Sequence, residues 1–248
     1  MSVNDVHHLI MTSSSASYKL DPIPTWLLEG CSSDISPVIT KTINLSFQDC
    51  HFPGSCKVAH LNPLLKRFGL DAESANFRPV SNLSFVSKTI KKAAINQLFA
   101  HCESCALLPT NQSAYRKFHS TETALFRVHS DILMSMDRQE VTLLILLDLS
   151  TAFDTIDHRI LQDILDNDFG IIGNAKEWIK SFFFCKWQQH GLVEEEISKP
   201  YQLDCDVPQG SYLGPVLFLL YASGLFQVVN KHLPTARAYA DDMSNKRN

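Results

Sequence analysis

The run Val141-Thr-Leu-Leu-Ile-Leu-Leu-Asp148 constrains the fold more than any other stretch of the chain. It is too uniformly apolar for an amphipathic surface element and too short to cross a membrane. Its length suits a central strand covered on both faces. Asp148 ends that strand, where a charged group can reach a cleft. Far downstream, Tyr239-Ala-Asp-Asp242 puts two adjacent carboxylates after a second predicted strand, residues 235–239. Acids at strand ends and turns, brought together by folding, can hold two divalent ions about 4 Å apart, which acidify an attacking hydroxyl and neutralise a leaving phosphate. Asp is also a favoured turn former, so the pair alone does not separate catalysis from a solvated turn.

The 248 residues, 45% hydrophobic, can bury a core as one large domain or two lobes. A net charge of -4 carries no bulk signature of a nucleic-acid binder. No apolar run approaches a membrane span, and no apolar core follows a basic start as in a signal peptide. The seven cysteines are scattered and odd in number, which fits a reducing cytoplasmic or nuclear interior. Cys102 and Cys105 form a single Cys-x-x-Cys without the second pair that structural zinc requires, so buried or half-buried helix thiols are the better reading.

Residues 1–17, ending in a Ser-rich run, read as a flexible lead-in. Asp21-Pro22 is a helix start with an apolar face of Trp26, Leu27 and Leu28. A helix over 34–47 carries Ile35, Val38, Ile39, Ile43 and Phe47 on one stripe. Residues 58–65 read as an edge strand, because Pro63 removes a ladder donor. Lys66, Arg67 and, on a loop, Arg78 are cations able to hold a triphosphate or a phosphate backbone. A long helix from Ser84 points Ile90, Ala94, Ile95 and Leu98 inward and Lys88, Lys91 and Lys92 outward. Ser120 caps the next helix, whose expected stripe is Ala124, Leu125, Val128, Ile132 and Leu133. Asp157 is placed to cap a further helix, and Asn174 begins a short aromatic one through Trp178 and Phe182. Residues 187–203 read as a hairpin interrupted by a solvated run of three glutamates. Pro208 and Gly210 then bring the backbone close to the cleft at the start of an apolar helix, a favourable place for phosphate.

Five motifs carry a resemblance: Asn76-Phe-Arg-Pro-Val-Ser-Asn82; Gln112-Ser-Ala-Tyr-Arg116 with His119-Ser-Thr-Glu-Thr-Ala124; Leu147-Asp-Leu-Ser-Thr-Ala-Phe-Asp154; Val207-Pro-Gln-Gly-Ser211 with Leu213-Gly-Pro215; and Tyr239-Ala-Asp-Asp242. In this order and spacing the chain resembles the reverse transcriptase of non-LTR (LINE-type) retrotransposons, from about residue 17 to 242. The resemblance implies an α+β right-hand polymerase, with a fingers-like helical region and edge strands over 18–140 and a palm over 141–248. The palm would be a small antiparallel sheet packed on helices. It implies an RNA-directed DNA polymerase using RNA template, DNA primer and deoxynucleoside triphosphates, with no membrane partner. Asp148, Asp241 and Asp242 would bind two magnesium ions, or manganese in their place, with Asp242 the more dispensable. Phe153 would exclude a 2′-hydroxyl, Gln209 and Gly210 would line the nucleotide site, and Arg78 would contact the triphosphate, with Lys66 and Arg67 as further candidates.

The chain also departs from the family pattern. Asp206 stands where Gly usually precedes Val-Pro-Gln-Gly, and a carboxylate there would repel a triphosphate. Residues 243–248 are polar and are expected to supply neither the hairpin's second strand nor a primer-gripping segment or thumb, so a palm truncated after Asp242 is expected. No endonuclease domain is expected ahead of the fingers. The alternative function is therefore a catalytically inactive remnant, or a module that binds nucleic acid or protein.

Overall fold

The computed structural model describes the chain apart from residues 14–20, 72, 74–75, 109–111, 114–117, 149–155, 185–186, 194–195, 200, 204–212, 225–227, 229–230, 232–236, 240–241 and 248. At 78–79, 145–148, 184, 187–193, 196–197, 201–203, 237–239 and 242–247 it describes the backbone alone. The chain forms two compact units: residues 1–101 with 165–214, and residues 102–164 with 215–248. The chain passes between these units three times.

The first unit begins with α1 (Val3–Met11), where a flexible lead-in is expected. Ser2 and Asp5 form a reciprocal capping box: the Ser2 hydroxyl accepts from the Asp5 amide at 3.2 Å, and the Asp5 carboxylate accepts from the Ser2 amide at 2.9 Å. Val6, Leu9 and Ile10, at helical spacing, are fully buried and pack the helix against α3 (Ser32–Gln48). Past the helix, the Ser13 hydroxyl donates back to the Leu9 carbonyl at 2.6 Å, and residues 14–20 lie outside the described ones.

The next helix, α2 (Thr25–Gly30), starts four residues beyond Asp21, and Trp26 and Leu27 are exposed rather than turned to a core. Asp21 caps a different helix: its carboxylate accepts from the Phe85 amide at 2.8 Å, at the start of α4 (Phe85–Ser104). In α3, Ile39 and Ile43 are buried as the stripe predicts, whereas Val38 is exposed.

β1 (Val58–Leu65) pairs antiparallel with β2 (Phe77–Leu83) and parallel with β4 (Trp187–Val193), so it is an inner strand, not an edge. The β4 pairing stops at Leu61, and Pro63 lies beyond it, so the missing amide costs that side of the ladder nothing. β5 (Glu196–Ile197) and β6 (Tyr201–Leu203) both pair antiparallel with β4.

An aromatic cluster ties α3 to α7 (Gly173–Phe184). Trp178 meets Phe47 edge-on at 5.3 Å and Phe52 at 5.6 Å, and Phe52 meets Phe182 at 5.2 Å. The Trp178 ring N–H donates to the Ser46 hydroxyl at 2.9 Å, and that hydroxyl donates to the His51 carbonyl at 2.7 Å. Burying an indole with its one donor satisfied gives packing and orientation together.

Lys91 departs most sharply from the periodic reading. It is expected outside and is fully buried, with its ammonium nitrogen 5.3 Å from the Phe182 ring centre and 5.8 Å from that of Phe52. Burial drives its pKa well below the ordinary lysine value; the nearby Cys56 opposes this and Lys88 adds to it. The two ring faces favour the cation by about 2 kcal/mol each at most. Loss of ammonium hydration costs several kcal/mol, so burial prevails. Between its depressed folded pKa and 10.5 the unfolded chain binds more protons, so this group makes stability rise with pH across that window. Lys91→Met is expected to be neutral or stabilising by up to about 2 kcal/mol at neutral pH and to flatten that rise. Urea unfolding of both proteins across the window checks it; an unchanged slope would mean that Lys91 stays charged.

In the second unit, Ser120 caps α5 (Thr121–Asp137) through a box with Thr123. Of the expected α5 stripe, Ala124, Val128 and Ile132 are half-buried while Leu125 and Leu133 are exposed. The described part of the sheet has the order β3-β8-β7, with β3 (Leu143–Asp148), β7 (Arg237–Tyr239) and β8 (Asp242–Arg247) all antiparallel. Two expectations fail here. The polar residues after Asp242 do form a second hairpin strand, and that strand, not β3, sits in the middle. Ladder bonds are made by main-chain groups, so a run such as Asp-Met-Ser-Asn-Lys-Arg can pair on both sides without any apolar signal. Leu143 and Leu144 are exposed, so this end of β3 is not covered on both faces.

Candidate active site

The antiparallel register brings the carboxylate-bearing segments together. Asp148, the last residue of β3, is the Cα partner of Asp242, the first of β8, and Tyr239 of β7 is paired with Asp242 on the other side. Direct partners in such a ladder have Cα atoms about 4.5–5.5 Å apart. Two strand ends from distant parts of the sequence therefore meet at one point. Asp241 falls between the paired Tyr239 and Asp242 and lies outside the described residues, as do Phe153, Gln209 and Gly210.

Arg78 is on β2 opposite Leu64, not on a loop. Lys66 and Arg67 follow the end of β1, where the Lys66 amide donates to the Asn76 carbonyl at 2.8 Å and closes the hairpin. The three cations thus belong to one hairpin of the first unit, and Asp148 and Asp242 belong to the second.

Asp157 has the structural role its position suggests. Its carboxylate accepts from the Arg159 amide at 2.8 Å and the Ile160 amide at 3.2 Å at the start of α6 (His158–Asn167). Those two bonds hold its pKa below the ordinary carboxylate value. Cys102 is buried, and burial pushes its thiol to about 11. No group of three His, Cys, Asp or Glu side chains is placed for a metal among the described residues. Cys102 lies within α4, whereas Cys105 follows its last residue, Ser104, and is exposed. No described helix is long and apolar enough to cross a membrane.

Sequence reasoning missed the long-range cap made by Asp21 and the Ser46–Trp178 bond, for which no local pattern exists. A buried lysine had one available signal. Lys91 directly follows Ile90, so it can share the inward arc of α4.

The second unit's described sheet thus pairs the end of an apolar strand with Asp242, the first residue of β8. Residues 69–244 match the family model of reverse transcriptase (RNA-dependent DNA polymerase), well over half of the chain, and the chain belongs to that family. It is 28% identical over 194 residues to a probable RNA-directed DNA polymerase from transposon X-element of Drosophila melanogaster, covering 76% of this chain and 20% of that one. Against the probable RNA-directed DNA polymerase from transposon BS of the same organism it is 26% identical, covering 78% of this chain and 22% of the relative. The same identity and coverage of this chain hold for the polymerase from its mobile element jockey, of which 20% is covered. These are non-LTR retrotransposon enzymes, as the motifs anticipate, and the chain spans about a fifth of their length. Among solved structures it is similar to a telomerase from Candida albicans in complex with a TWJ fragment of telomeric RNA, with TM-score 0.52, 11% identity, and 79% of this chain and 39% of that chain covered. It is also similar to an apo telomerase from Candida tropicalis, with TM-score 0.53, 13% identity, and 90% and 49% covered. At these identities the likeness is one of fold.

Proposed function

We propose that this chain is the fingers–palm portion of an RNA-directed DNA polymerase that extends a DNA primer on an RNA template with deoxynucleoside triphosphates. The observation that carries the reading is the pairing of Asp148 with Asp242 at the mouth of the β7–β8 hairpin. It gives carboxylate residues from two family motifs adjacent backbone positions. Hard oxygen donors of this kind suit magnesium, or manganese in its place. Asp148, Asp241 and Asp242 would hold two such ions. When bound, they supply the positive charge that acidifies a primer 3′-hydroxyl and offsets the charge of departing pyrophosphate.

The remaining roles belong to the chain's own groups. Phe153 blocks a 2′-hydroxyl, which separates ribonucleotides from deoxyribonucleotides. Gln209 and Gly210 line the nucleotide, and Arg78, with Lys66 and Arg67 on the same hairpin, pairs with triphosphate oxygens. The primer oxygen bonds to the α-phosphorus, the α–β bridging bond breaks, and the hydroxyl proton leaves to solvent. Five free cysteines among the described residues fit a reducing cytoplasmic or nuclear setting.

The test is addition of one deoxynucleotide to a DNA primer annealed to RNA, with magnesium. Template-directed addition is expected, and Phe153→Val should admit ribonucleotides. Addition that ignores the template base would overturn the reading. Asp206 favours one alternative, a module that binds template–primer without synthesis, because its carboxylate adjoins Val207-Pro-Gln-Gly. Binding without addition, with addition restored by Asp206→Gly, would assign the loss to that residue.

A further inference from the structure

We infer that Cys102 and Cys105 form an oxidative modification site, in which exposed Cys105 takes up half of a small disulfide such as oxidised glutathione and buried Cys102 then displaces it. The product is a disulfide at the end of α4. The other described cysteines, Cys31, Cys50 and Cys56, stand farther apart in sequence than this pair. Cys102 is in the last turn of α4 and 1% exposed, whereas Cys105 follows Ser104, the last residue of that helix, and is exposed. The backbone keeps the two together. Ala106 has a left-handed φ of 51°, and the Leu107 amide donates back to the Cys102 carbonyl at 2.9 Å. The chain therefore folds back over the last turn of the helix instead of leading Cys105 away from it.

Exposure decides the order of the steps. Thiol–disulfide exchange needs a thiolate and access to it. Burial, helped by the neighbouring Cys105 and Glu103, pushes the Cys102 thiol to about 11, so Cys102 is both closed to solvent and poor in thiolate. Cys105 is the open one. Its thiolate attacks one sulfur of the small disulfide, that S–S bond breaks, and one glutathione leaves as a thiol. The adduct then lies three residues from Cys102, where proximity replaces a bimolecular encounter. The Cys102 sulfur, its proton lost to solvent, attacks the Cys105 sulfur; the bond to glutathione breaks and the second glutathione leaves. Two cysteine thiols are oxidised and one disulfide is reduced to two thiols. Residues three apart in a helical turn have Cβ atoms about 5–6 Å apart, against about 3.5–4.5 Å in a disulfide. Because Cys105 lies past the helical residues, the approach falls on the turn and not on the α4 ladder. A Cys-x-x-Cys that opens a helix gains from the positive N-terminus, which activates a catalytic thiol; this pair closes one, which makes it a site that is modified and not a disulfide oxidoreductase. Neither cysteine belongs to the polymerase motifs, so the site stands apart from that reading.

The test exposes the full, reduced chain to oxidised glutathione, quenches it with an alkylating agent and maps every cysteine by mass spectrometry. In the parent the expected product is a disulfide between Cys102 and Cys105, reversed by dithiothreitol, with no glutathione left on either. Cys102→Ala, which keeps the buried position apolar, should hold a stable glutathione adduct on Cys105. Cys105→Ser should leave Cys102 a thiol, its adduct forming at least about tenfold more slowly than the one on Cys105 in Cys102→Ala. In urea, where burial is lost, those two rates should converge. The parent and Cys105→Ser, a change at an exposed position, decide the disulfide and the protection of Cys102 without relying on the buried variant, and urea midpoints confirm that folded chains are compared. A lasting adduct on Cys105 in the parent, or linkage of either cysteine to a different one, would overturn the site. So would adducts that form equally fast in the two folded variants, or a rate difference that persists in urea.

Discussion

Asp148→Asn is expected to lower single-nucleotide addition by at least about 10²–10³-fold, the scale seen when one preorganised electrostatic group is removed from a reacting centre. Asparagine keeps the size and one oxygen of the side chain but removes the charge that would hold a divalent ion. Because Asp148 ends β3 and the ladder is made by its main chain, the strand should persist, and unfolding by urea should change by less than about 0.5 kcal/mol. The comparison with its two partners is more informative than the loss alone. The family pattern makes Asp241 the second principal ligand and Asp242 the dispensable one, whereas the backbone register pairs Asp148 with Asp242. We expect Asp241→Asn to match Asp148→Asn, and Asp242→Asn to lose only about tenfold. The reverse ranking in the same primer-extension assay would give the ladder partner the principal role. Full activity in Asp148→Asn would remove the active-site reading altogether.

The largest effect on stability is expected at Trp178. Truncating a buried tryptophan typically costs about 3–5 kcal/mol, through lost transfer free energy and the cavity left behind. Here Trp178→Ala would also strip three ring partners and remove the donor to the Ser46 hydroxyl, which keeps only its own bond to the His51 carbonyl. The upper half of that range is therefore expected from urea unfolding. Trp178→Phe keeps most of the ring contact and loses the N–H bond, so about 1–2 kcal/mol is expected. Combining Trp178→Phe with Ser46→Ala should cost less than the sum of the two, since each change removes the same bond. A cost below about 1 kcal/mol for Trp178→Ala would show that the α3–α7 cluster does not hold this unit together.

Much of this was legible where one residue type dictates local structure. The helices over 32–48, 85–104 and 173–184 follow apolar periodicity, and Ser120 and Asp157 are caps with amides placed to donate to them. The family was legible because five motifs recur in order, not because any one of them is specific. What escaped depends on partners distant in sequence. Asp21 stands beside Pro22 as a local helix start, and it caps a helix 64 residues away. Pro63 points to an edge strand by its missing amide, yet it bears only on the half of β1 beyond Leu61. The charge of Lys91 predicts an outward side chain, and the rings of Phe52 and Phe182 that receive it lie far from it in sequence. The strand Asp242–Arg247 has a single apolar residue, Met243, and only the pairing of its backbone with β3 and β7 reveals it.

Manganese uptake by the chain, followed by the electron paramagnetic resonance signal of the free ion, tests the proposed carboxylate site most directly and needs no turnover. Saturable binding that magnesium displaces and that Asp148→Asn abolishes is the predicted result. Equal uptake by the parent and by Asp148→Asn would contradict it.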